Sequence, residues 1–339
     1  MPMRLLIVTQ KVDRRDPILG FFHRWIEEFA KNCSSVIVIG QTVGEYHLPD
    51  NVTVLSLGKE IGAWRIIQII SYRWFLFKHR RYYDTIFVHM TPVWAVCAYK
   101  SLSGAPVHGR LYLWYEARGA RWPLKIAIRL AKKVFSASPA GMPVPTSKSV
   151  VTGHGIDTEM FAIGGARDPH RIIAVGRVTA SKQLHVIFGA FARLSQQYRL
   201  SVYGHAITAA DRTLLRALES EDAMRGVAGR VEIGSVTNDE MASRMQQAVL
   251  FLHASRTGLD KALLEAMACG CLVVSCSEAA RAVLPKECMT TPEGMADRAK
   301  TLLGLAPDEQ DSMRRKLRDI VIRNHSLREL IRRLVAEMR

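Results

Sequence analysis

The feature that most constrains the fold is a series of short apolar runs, rich in β-branched residues, that alternate with stretches of helical periodicity. Residues 5–9 (LLIVT) and 35–40 (SVIVIG) are the first two runs, and residues 21–30 between them have a helical pattern. The series continues at residues 52–57, 85–89, 111–114, 134–138 and 149–152. Continuous apolar strands separated by helices are typical of a parallel sheet that is covered on both faces.

The same pattern starts again in the second half of the chain. An aperiodic segment, residues 161–170, carries Gly164, Gly165 and Pro169, and we place the domain linker there. Fresh apolar strands follow at residues 171–175, 200–203, 231–233, 249–252 and 272–274. The predicted fold class is therefore α/β, with two Rossmann-like, doubly wound parallel-sheet domains facing a central cleft.

The length of 339 residues also suits two domains rather than one. We expect an N-terminal domain at residues 1–160, a C-terminal domain at residues 161–311 and terminal helices at residues 312–339. Amphipathic patterns at 312–324 and 327–338 mark these helices, and Ser326 is a predicted N-cap for the last one.

The chain is strongly basic, with 47 Lys and Arg against 31 Asp and Glu, a net charge of +16. Such an excess indicates a polyanionic partner, and an anionic membrane surface, a phosphorylated substrate and nucleic acid all fit it. No helix-turn-helix, zinc or RNA-binding signature is present, which argues against nucleic acid. The six cysteines lack C-x-x-C or zinc spacing and are interpreted as reduced thiols.

Because no leader peptide and no membrane-spanning run is evident, we expect a cytoplasmic protein.

A polar loop at residues 255–261 (SRTGLDK) joins a predicted strand to a helix that begins at Ala262. Free backbone N–H groups and the positive end of the helix dipole make such a junction a candidate anion site. Gly258 would permit close backbone approach. Glu265, about one turn into the helix, could reach a sugar or ribose hydroxyl. An ordinary strand–helix unit with an acidic surface residue explains the same pattern equally well.

A second candidate anion site is Gly176-Arg177 at the end of a predicted strand, with Lys182 close behind. The planar fork of an Arg and the point charge of a Lys suit a diphosphate. Taken alone, a turn glycine followed by two solvated cations is the simpler interpretation.

Together the two segments resemble the retaining GT-B glycosyltransferases of glycosyltransferase family 4. Residues 263–270 (LLEAMACG) are similar to the second half of the family's E-x7-E signature, and Arg177 and Lys182 match its diphosphate-binding positions. Residues 153–157 (GHGID), followed by Phe161, resemble the family's N-G-V-D…F junction between domains. The resemblance covers most of residues 150–330 and is looser in the N-terminal half.

The resemblance implies a metal-independent enzyme, without a cofactor, that takes a nucleoside diphosphate sugar as donor and retains the anomeric configuration. Arg177 and Lys182 would stabilise the departing diphosphate, and Glu265 would hold the ribose. The acceptor would be a saccharide, including lipid-linked or cell-surface ones of polysaccharide biosynthesis, and the last helix would pack back on the acceptor-binding N-terminal domain. The implied binding residues are Gly20 on the acceptor side and Gly176, Arg177, Lys182, Ser235, Thr257, Gly258, Leu259, Asp260, Lys261 and Glu265.

Two positions depart from the family pattern. The first Glu of E-x7-E would fall at Thr257, which can hydrogen-bond a sugar but cannot act as a carboxylate. The His that the family places after an N-domain strand is missing from residues 113–118 (LWYEAR), where Glu116 or Arg118 could substitute. A catalytically impaired nucleotide-sugar-binding homologue and a sugar-nucleotide epimerase of the same fold therefore remain alternatives. The candidate catalytic residues are Arg177, Lys182, Glu265 and Glu116.

Residues 61–81 (IGAWRIIQIISYRWFLFKHRR) combine aromatic and basic side chains. Amphipathic helices of this composition bind anionic membrane interfaces. The alternative is a helix packed on the first sheet with its charged end solvated. Attachment to the cytoplasmic face of a membrane would suit an enzyme with a lipid-linked acceptor.

Overall fold

A computed structural model describes residues 3–16, 18–98, 110–117, 119–120, 122–220 and 226–339, with the backbone alone described at 238–239. The chain divides into two compact units: unit 1 comprises Met1–Gly155 and Ser326–Arg339, and unit 2 comprises Ile156–His325. The first boundary thus lies before Ile156 rather than before Phe161, because both of these side chains are buried in the core of unit 2. The last boundary lies at Ser326 rather than at residue 312.

The strands and helices alternate along most of the chain. The strands are β1 (Arg4–Val12), β2 (Ser35–Val43), β3 (Val52–Ser56), β4 (Thr85–His89), β5 (Leu111–Trp114), β6 (Lys133–Ser136), β7 (Ser149–Val151), β8 (Asp168–Val175), β9 (Arg199–Tyr203), β10 (Val231–Gly234), β11 (Ala248–His253) and β12 (Leu272–Ser275). The α-helices of the described residues are α1 (Phe21–Asn32), α2 (Arg65–Lys78), α3 (Pro92–Ala98), α4 (Trp122–Leu130), α5 (Leu184–Ala192), α6 (Ala209–Leu218), α7 (Asn238–Gln247), α8 (Lys261–Ala268), α9 (Met295–Leu303), α10 (Pro307–His325) and α11 (Leu327–Met338).

Unit 1 is built on a seven-stranded parallel sheet with the order β3-β2-β1-β4-β5-β6-β7. Along β1, Leu5 and Ile7 face one layer of the core, and Leu6 and Val8 face the other. Helices α1 and α11 cover the first face, and α2, α3 and α4 cover the second. The Ser326 hydroxyl accepts a hydrogen bond from the Glu329 N–H and so caps α11, as the sequence predicts. The predicted parallel sheet with two covered faces is confirmed.

Unit 2 holds a five-stranded parallel sheet with the order β10-β9-β8-β11-β12. Helix α10 contributes Leu317 and Val321 to its core. The strand order reverses at β8, so the connections that leave β8 and β11 diverge toward opposite faces of the sheet. Ligands of open α/β sheets bind in the crevice that forms at such a switch point, outside the carboxyl ends of the strands. The loops after β8 and β11 are therefore the expected location of a ligand site in unit 2.

Candidate active site

The loops after β8 and β11 bring Lys182 and Asp260 together. Lys182 Nζ lies 2.6 Å from each carboxylate oxygen of Asp260, and the two side chains are only 17% and 14% exposed. His253 Nε2 lies 2.8 Å from Asp260 Oδ2 and donates to it, since an ionised carboxylate can only accept. Burial would raise the pKa of Asp260, but the hydrogen bond from His253 and the charge of Lys182 hold that pKa well below its usual range.

Asp260 is the N-cap residue of α8, yet its carboxylate does not cap the helix. An N-cap Asp ordinarily accepts a hydrogen bond from an N–H of the first helical turn. Here the carboxylate is turned toward Lys182 and His253, and Thr257 Oγ1 donates to it at 3.1 Å. The first-turn N–H groups of α8 are therefore not occupied by Asp260, and the positive end of the helix dipole can meet an anion there. This arrangement fits the anion site predicted for residues 255–261.

Two glycines set the path of the chain after β8. Gly176 has a φ of 153°, a conformation that side chains with a Cβ rarely adopt, and its N–H donates to the Tyr203 carbonyl at 3.0 Å. A Cβ built on Gly204 would lie 1.9 Å from the Gly176 carbonyl oxygen. A Cβ on Gly176 would also press on the aliphatic part of Lys182, 3.2 Å from its Cε. The two loops thus approach each other closely at Gly176, where the Lys182 side chain packs against the backbone.

Arg177 follows Gly176 and has an exposed side chain. Its guanidinium makes no hydrogen bond or ion pair with any residue that the structure describes. Hydrogen bonds from Thr208 lower the pKa of Asp211, and the charge of Arg177 adds to this lowering. The five N–H donors of Arg177 are therefore available to a ligand at the carboxyl edge of the sheet.

Glu265 is buried in α8 and pairs with Lys261, four residues earlier on the same helix. Lys261 Nζ also lies 5.8 Å from the centre of the Phe161 ring. Lys261, itself one of the predicted binding residues, thus holds the Glu265 carboxylate at the first turns of α8. A ligand hydroxyl that donates a hydrogen bond to this carboxylate would therefore also lie close to the Lys261 ammonium group.

The other residues of the predicted binding set in unit 2 differ in their placement. Leu259 is buried in the core, so only its backbone can meet a ligand, and Gly258 lies beside it in the loop. Ser235 is exposed and lies just after β10. Because β9 lies between β10 and β8 in the sheet, Ser235 is not part of the Lys182–Asp260 cluster. Within the described ranges, no group of three or more His, Cys, Asp or Glu side chains is arranged to bind a metal ion.

In unit 1, Glu116 is engaged in holding the loop after β6. Glu116 Oε2 accepts hydrogen bonds from the N–H groups of Ala137 at 2.8 Å and Ser138 at 3.1 Å, and Oε1 accepts one from the Ser138 hydroxyl at 2.8 Å. Burial raises the pKa of Glu116, and these hydrogen bonds oppose the rise. These contacts fix the loop after β6 to Glu116, and the catalytic role of Glu116 stays a prediction. Arg118 lies outside the described residues.

Unit 1 also contains a cavity of about 440 Å³ at the carboxyl ends of its strands. Gln10 and Gln41 line it from β1 and β2, and Met90 and Tyr115 line it just after β4 and β5. Met90 has a φ of 58°, which is uncommon for a residue other than glycine and is found at functional sites. Gly20, the residue predicted on the acceptor side, is not among the lining residues. It is the N-cap residue of α1 and is buried.

The lining of this cavity is positively charged. Lys59 and Arg65 belong to it, and among the described residues that line it there is no Asp or Glu. Sequence reasoning missed Lys59, Arg65 and Tyr115 as site residues. Gln41 and Tyr115, polar residues that each come just after a predicted strand, were the available signal for a site at this edge of the sheet.

His89, at the end of β4, is fully buried among aromatic rings and stacks on Phe22 at 4.0 Å. Its Nδ1 lies 3.3 Å from Thr9 Oγ1. Burial, together with the smaller effect of the nearby His154, lowers the pKa of His89 to about 3. In the unfolded chain a His has a pKa of about 6.5. Between these values the unfolded chain carries a proton that the folded chain does not.

We expect His89 to make the protein less stable as the pH falls from 6.5 toward 3. Linkage gives a loss of about 1.4 kcal/mol in the free energy of unfolding per pH unit, or roughly 2 kcal/mol at pH 5. His89→Phe keeps a ring against Phe22 but cannot take a proton, so the variant should lose about 2 kcal/mol less between pH 7 and pH 5. Urea unfolding of both proteins at the two pH values measures this difference. Equal losses would contradict the assignment.

Residues 169–305, within unit 2, match the family model described as Glycosyl transferases group 1. The structure of Anabaena Alr3699/HepE in complex with UDP and glucose is similar over 99% of both chains, with a TM-score of 0.75 and 16% identity. Sucrose-phosphate synthase from Thermosynechococcus elongatus is similar over 98% of both chains, with a TM-score of 0.79 and 14% identity.

The chain has the GT-B fold. A glycosyltransferase from Rickettsia africae is likewise similar, over 99% of this chain and 98% of that chain, with a TM-score of 0.71 and 14% identity. A sequence comparison with curated proteins finds no match. The GT-B fold confirms the predicted fold class, and at these identities the likeness to solved structures extends to the fold alone.

Proposed function

We propose that the chain is a retaining glycosyltransferase of the family 4 type, which transfers a sugar from a nucleoside diphosphate sugar to a hydroxyl of a saccharide acceptor. The observation that carries the proposal is the cluster at the switch point of unit 2. There Lys182, Arg177 and the uncapped first turn of α8 converge on one edge of the sheet, within the segment that matches a glycosyltransferase family. We further propose that the reaction needs no metal and no cofactor.

In this proposal the donor diphosphate binds against α8 and the two cations. Two N–H groups of Lys182 serve Asp260, and the third, which has only a long contact of 3.5 Å to Ser255 Oγ, turns to a phosphate oxygen when the donor binds. Arg177 supplies a bidentate contact to the second phosphate. Asp260 offsets part of the positive charge while the site is empty, and it fixes Lys182 in place. Glu265 accepts a hydrogen bond from a ribose hydroxyl.

The chemical step breaks the bond between the anomeric carbon and the diphosphate oxygen, and the electron pair leaves with the diphosphate. Arg177, Lys182 and the α8 N–H groups stabilise the charge that develops on that oxygen. The acceptor hydroxyl oxygen bonds to the anomeric carbon from the face that the diphosphate leaves. A diphosphate oxygen takes the hydroxyl proton. Retention of configuration follows from this geometry.

The acceptor is proposed to bind in the cavity of unit 1. The part of its lining that the structure describes carries Lys59 and Arg65 and no acidic residue, which suits a saccharide that bears phosphate or carboxylate groups. Lipid-linked and cell-surface saccharides of polysaccharide biosynthesis belong to this class. An enzyme that uses a lipid-linked acceptor would work at the cytoplasmic face of a membrane.

The test of the proposal is turnover of nucleotide sugars. The full chain is incubated with UDP-, GDP- and ADP-sugars, with and without saccharide acceptors, and the released nucleoside diphosphate is measured. The HepE structures contain UDP and UDP-glucose, so UDP-sugars come first. Arg177→Ala should lower the rate roughly 10²–10³-fold, as loss of one transition-state donor does. Arg199→Ala, an exposed arginine at the start of β9 and the opposite edge of the sheet, should not change it.

The same assay separates the alternatives. Transfer with inversion would exclude retention, and this is read from the anomeric configuration of the product by NMR. A donor whose sugar is epimerised without an acceptor would indicate an epimerase. Donor binding without transfer or donor hydrolysis would indicate an impaired homologue, an alternative that Thr257 favours because its hydroxyl replaces the first carboxylate of the signature.

A further inference from the structure

Helix α2 turns an apolar face outward. Its inward face buries Gln68, Tyr72 and Leu76 against unit 1. Its outward face carries Ile66, which is 59% exposed, and Ile70, which is 61% exposed. An ordinary surface helix shows the opposite pattern, with polar residues outward. The outward face of α2 is therefore expected to contact a partner molecule that covers its apolar side chains.

The residues around α2 enlarge this apolar area. Ile61 and Trp64, just before the helix, are 84% and 77% exposed. Eight of the fifteen large hydrophobic side chains that are exposed in the described residues lie within residues 61–82. Contiguous exposure of this kind marks an interaction site, whereas single exposed side chains are ordinary. We call this area the α2 surface, and its members are Ile61, Trp64, Ile66, Ile67, Ile70, Trp74 and Phe77.

Cations accompany the apolar side chains. Lys78 Nζ lies 4.6 Å from the centre of the Trp74 ring, and the Arg80 guanidinium carbon lies 4.2 Å from the centre of the Phe77 ring. Arg65 and Arg81 are exposed as well. Helix α2 contains no Asp or Glu, and the nearest acid in sequence, Glu60, accepts a hydrogen bond from the Ser56 hydroxyl. The charged side chains of α2 itself are thus all positive, and Glu60 lies at the edge of the α2 surface beside Ile61.

We infer that the α2 surface docks on an anionic lipid bilayer. Trp and Ile side chains enter the interface between headgroups and acyl chains, while Lys and Arg remain at the level of the phosphates. A second copy of the chain is a poorer occupant, because a two-fold contact would set these cations against their own counterparts. None of the helices in the described residues is long and apolar enough to cross a membrane. The helix therefore lies on the surface.

Docking would bring the cavity of unit 1 to the bilayer. Arg65 belongs both to the first turn of α2 and to the lining of the cavity, so the two features are continuous. An acceptor carried by a lipid would then reach the cavity along α2. Docking itself needs no nucleotide, so its test is independent of the turnover assay.

The experiment is co-sedimentation of the full chain with vesicles of phosphatidylcholine, with and without phosphatidylglycerol. We expect binding to the anionic vesicles that weakens as salt is added. The triple variant Ile66→Gln, Ile70→Gln and Trp74→Gln should lose about tenfold or more in partition coefficient and keep its melting temperature, because these side chains are exposed. The double variant Ile207→Gln and Ile322→Gln removes two exposed isoleucines of unit 2 and should bind as the wild type does.

A second variant tests the charge. Replacement of Arg73, Lys78, Arg80 and Arg81 by Glu should reduce binding to anionic vesicles about tenfold or more. Wild-type protein that stays in the supernatant with anionic vesicles would overturn the inference, and so would equal binding by the triple variant. Sedimentation velocity supplies a further check: a dimer that the triple variant abolishes would show that a second copy covers the α2 surface.

Discussion

Lys182→Met is expected to abolish the binding of nucleoside diphosphates and to lower the stability of unit 2 by about 3 kcal/mol. The binding loss follows because the variant removes a cation from the diphosphate site. The stability loss follows because Asp260 would keep its charge while only 14% exposed, and a buried ion pair that loses one partner is destabilised to this degree. Calorimetric titration with the diphosphate and urea unfolding measure the two effects.

The double variant Lys182→Met with Asp260→Asn separates these effects. It removes both charges, and the Asn side-chain oxygen can still accept a hydrogen bond from His253 or Thr257. Its stability should return to within about 1 kcal/mol of the wild type, since replacing both partners is far less costly than removing one. Binding of the diphosphate should remain lost. If Lys182→Met alone were as stable as the wild type, the buried pair would not hold the loops as we describe.

Gly204→Ala is expected to destabilise unit 2 by roughly 3 kcal/mol or more. The added Cβ would lie 1.9 Å from the Gly176 carbonyl oxygen, so the backbone after β8 or β9 must move. Because Arg177 directly follows Gly176, the same movement should also remove diphosphate binding. Thermal unfolding and calorimetric titration would report the two losses.

The matched control is Gly234→Ala. Gly234 ends the neighbouring strand β10, and its carbonyl accepts the Gly204 N–H at 2.8 Å. A Cβ on Gly234 meets nothing within 4 Å. The control should therefore change stability by no more than about 0.5 kcal/mol. Similar effects of the two substitutions would show that the close approach of Gly204 and Gly176 is not the constraint that we infer.

The fold could be predicted from the sequence because buried parallel strands are continuous apolar runs. Residues 85–89 and 111–114 were predicted with the observed bounds. The unit boundary was predicted too late, because the glycines and the proline of residues 161–170 look like a linker. The structure instead places Phe161 in the core and begins β8 at Asp168. Local composition cannot show which core a single aromatic side chain joins.

The loops that form the candidate site could be predicted from the sequence, but the contacts between their side chains could not. The switch-point rule places the loops after β8 and β11 side by side once the strand order is known, and both loops were chosen. The partner of Lys182 was missed: Asp260 was expected to contribute its backbone N–H, whereas its carboxylate pairs with Lys182. His253 was not predicted as a site residue. Its position as the last residue of β11, at the carboxyl edge of the sheet, was the signal for a site residue.

The central claim is that the switch point of unit 2 binds the diphosphate of a nucleotide. The most direct measurement is calorimetric titration of the wild type with UDP, GDP and ADP, each compared with its nucleoside, and of Arg177→Ala with the best of them. We predict that one diphosphate binds, that its nucleoside binds at least tenfold more weakly, and that Arg177→Ala loses most of the difference. Absence of binding for all three diphosphates, or equal affinity of wild type and Arg177→Ala, would contradict the account.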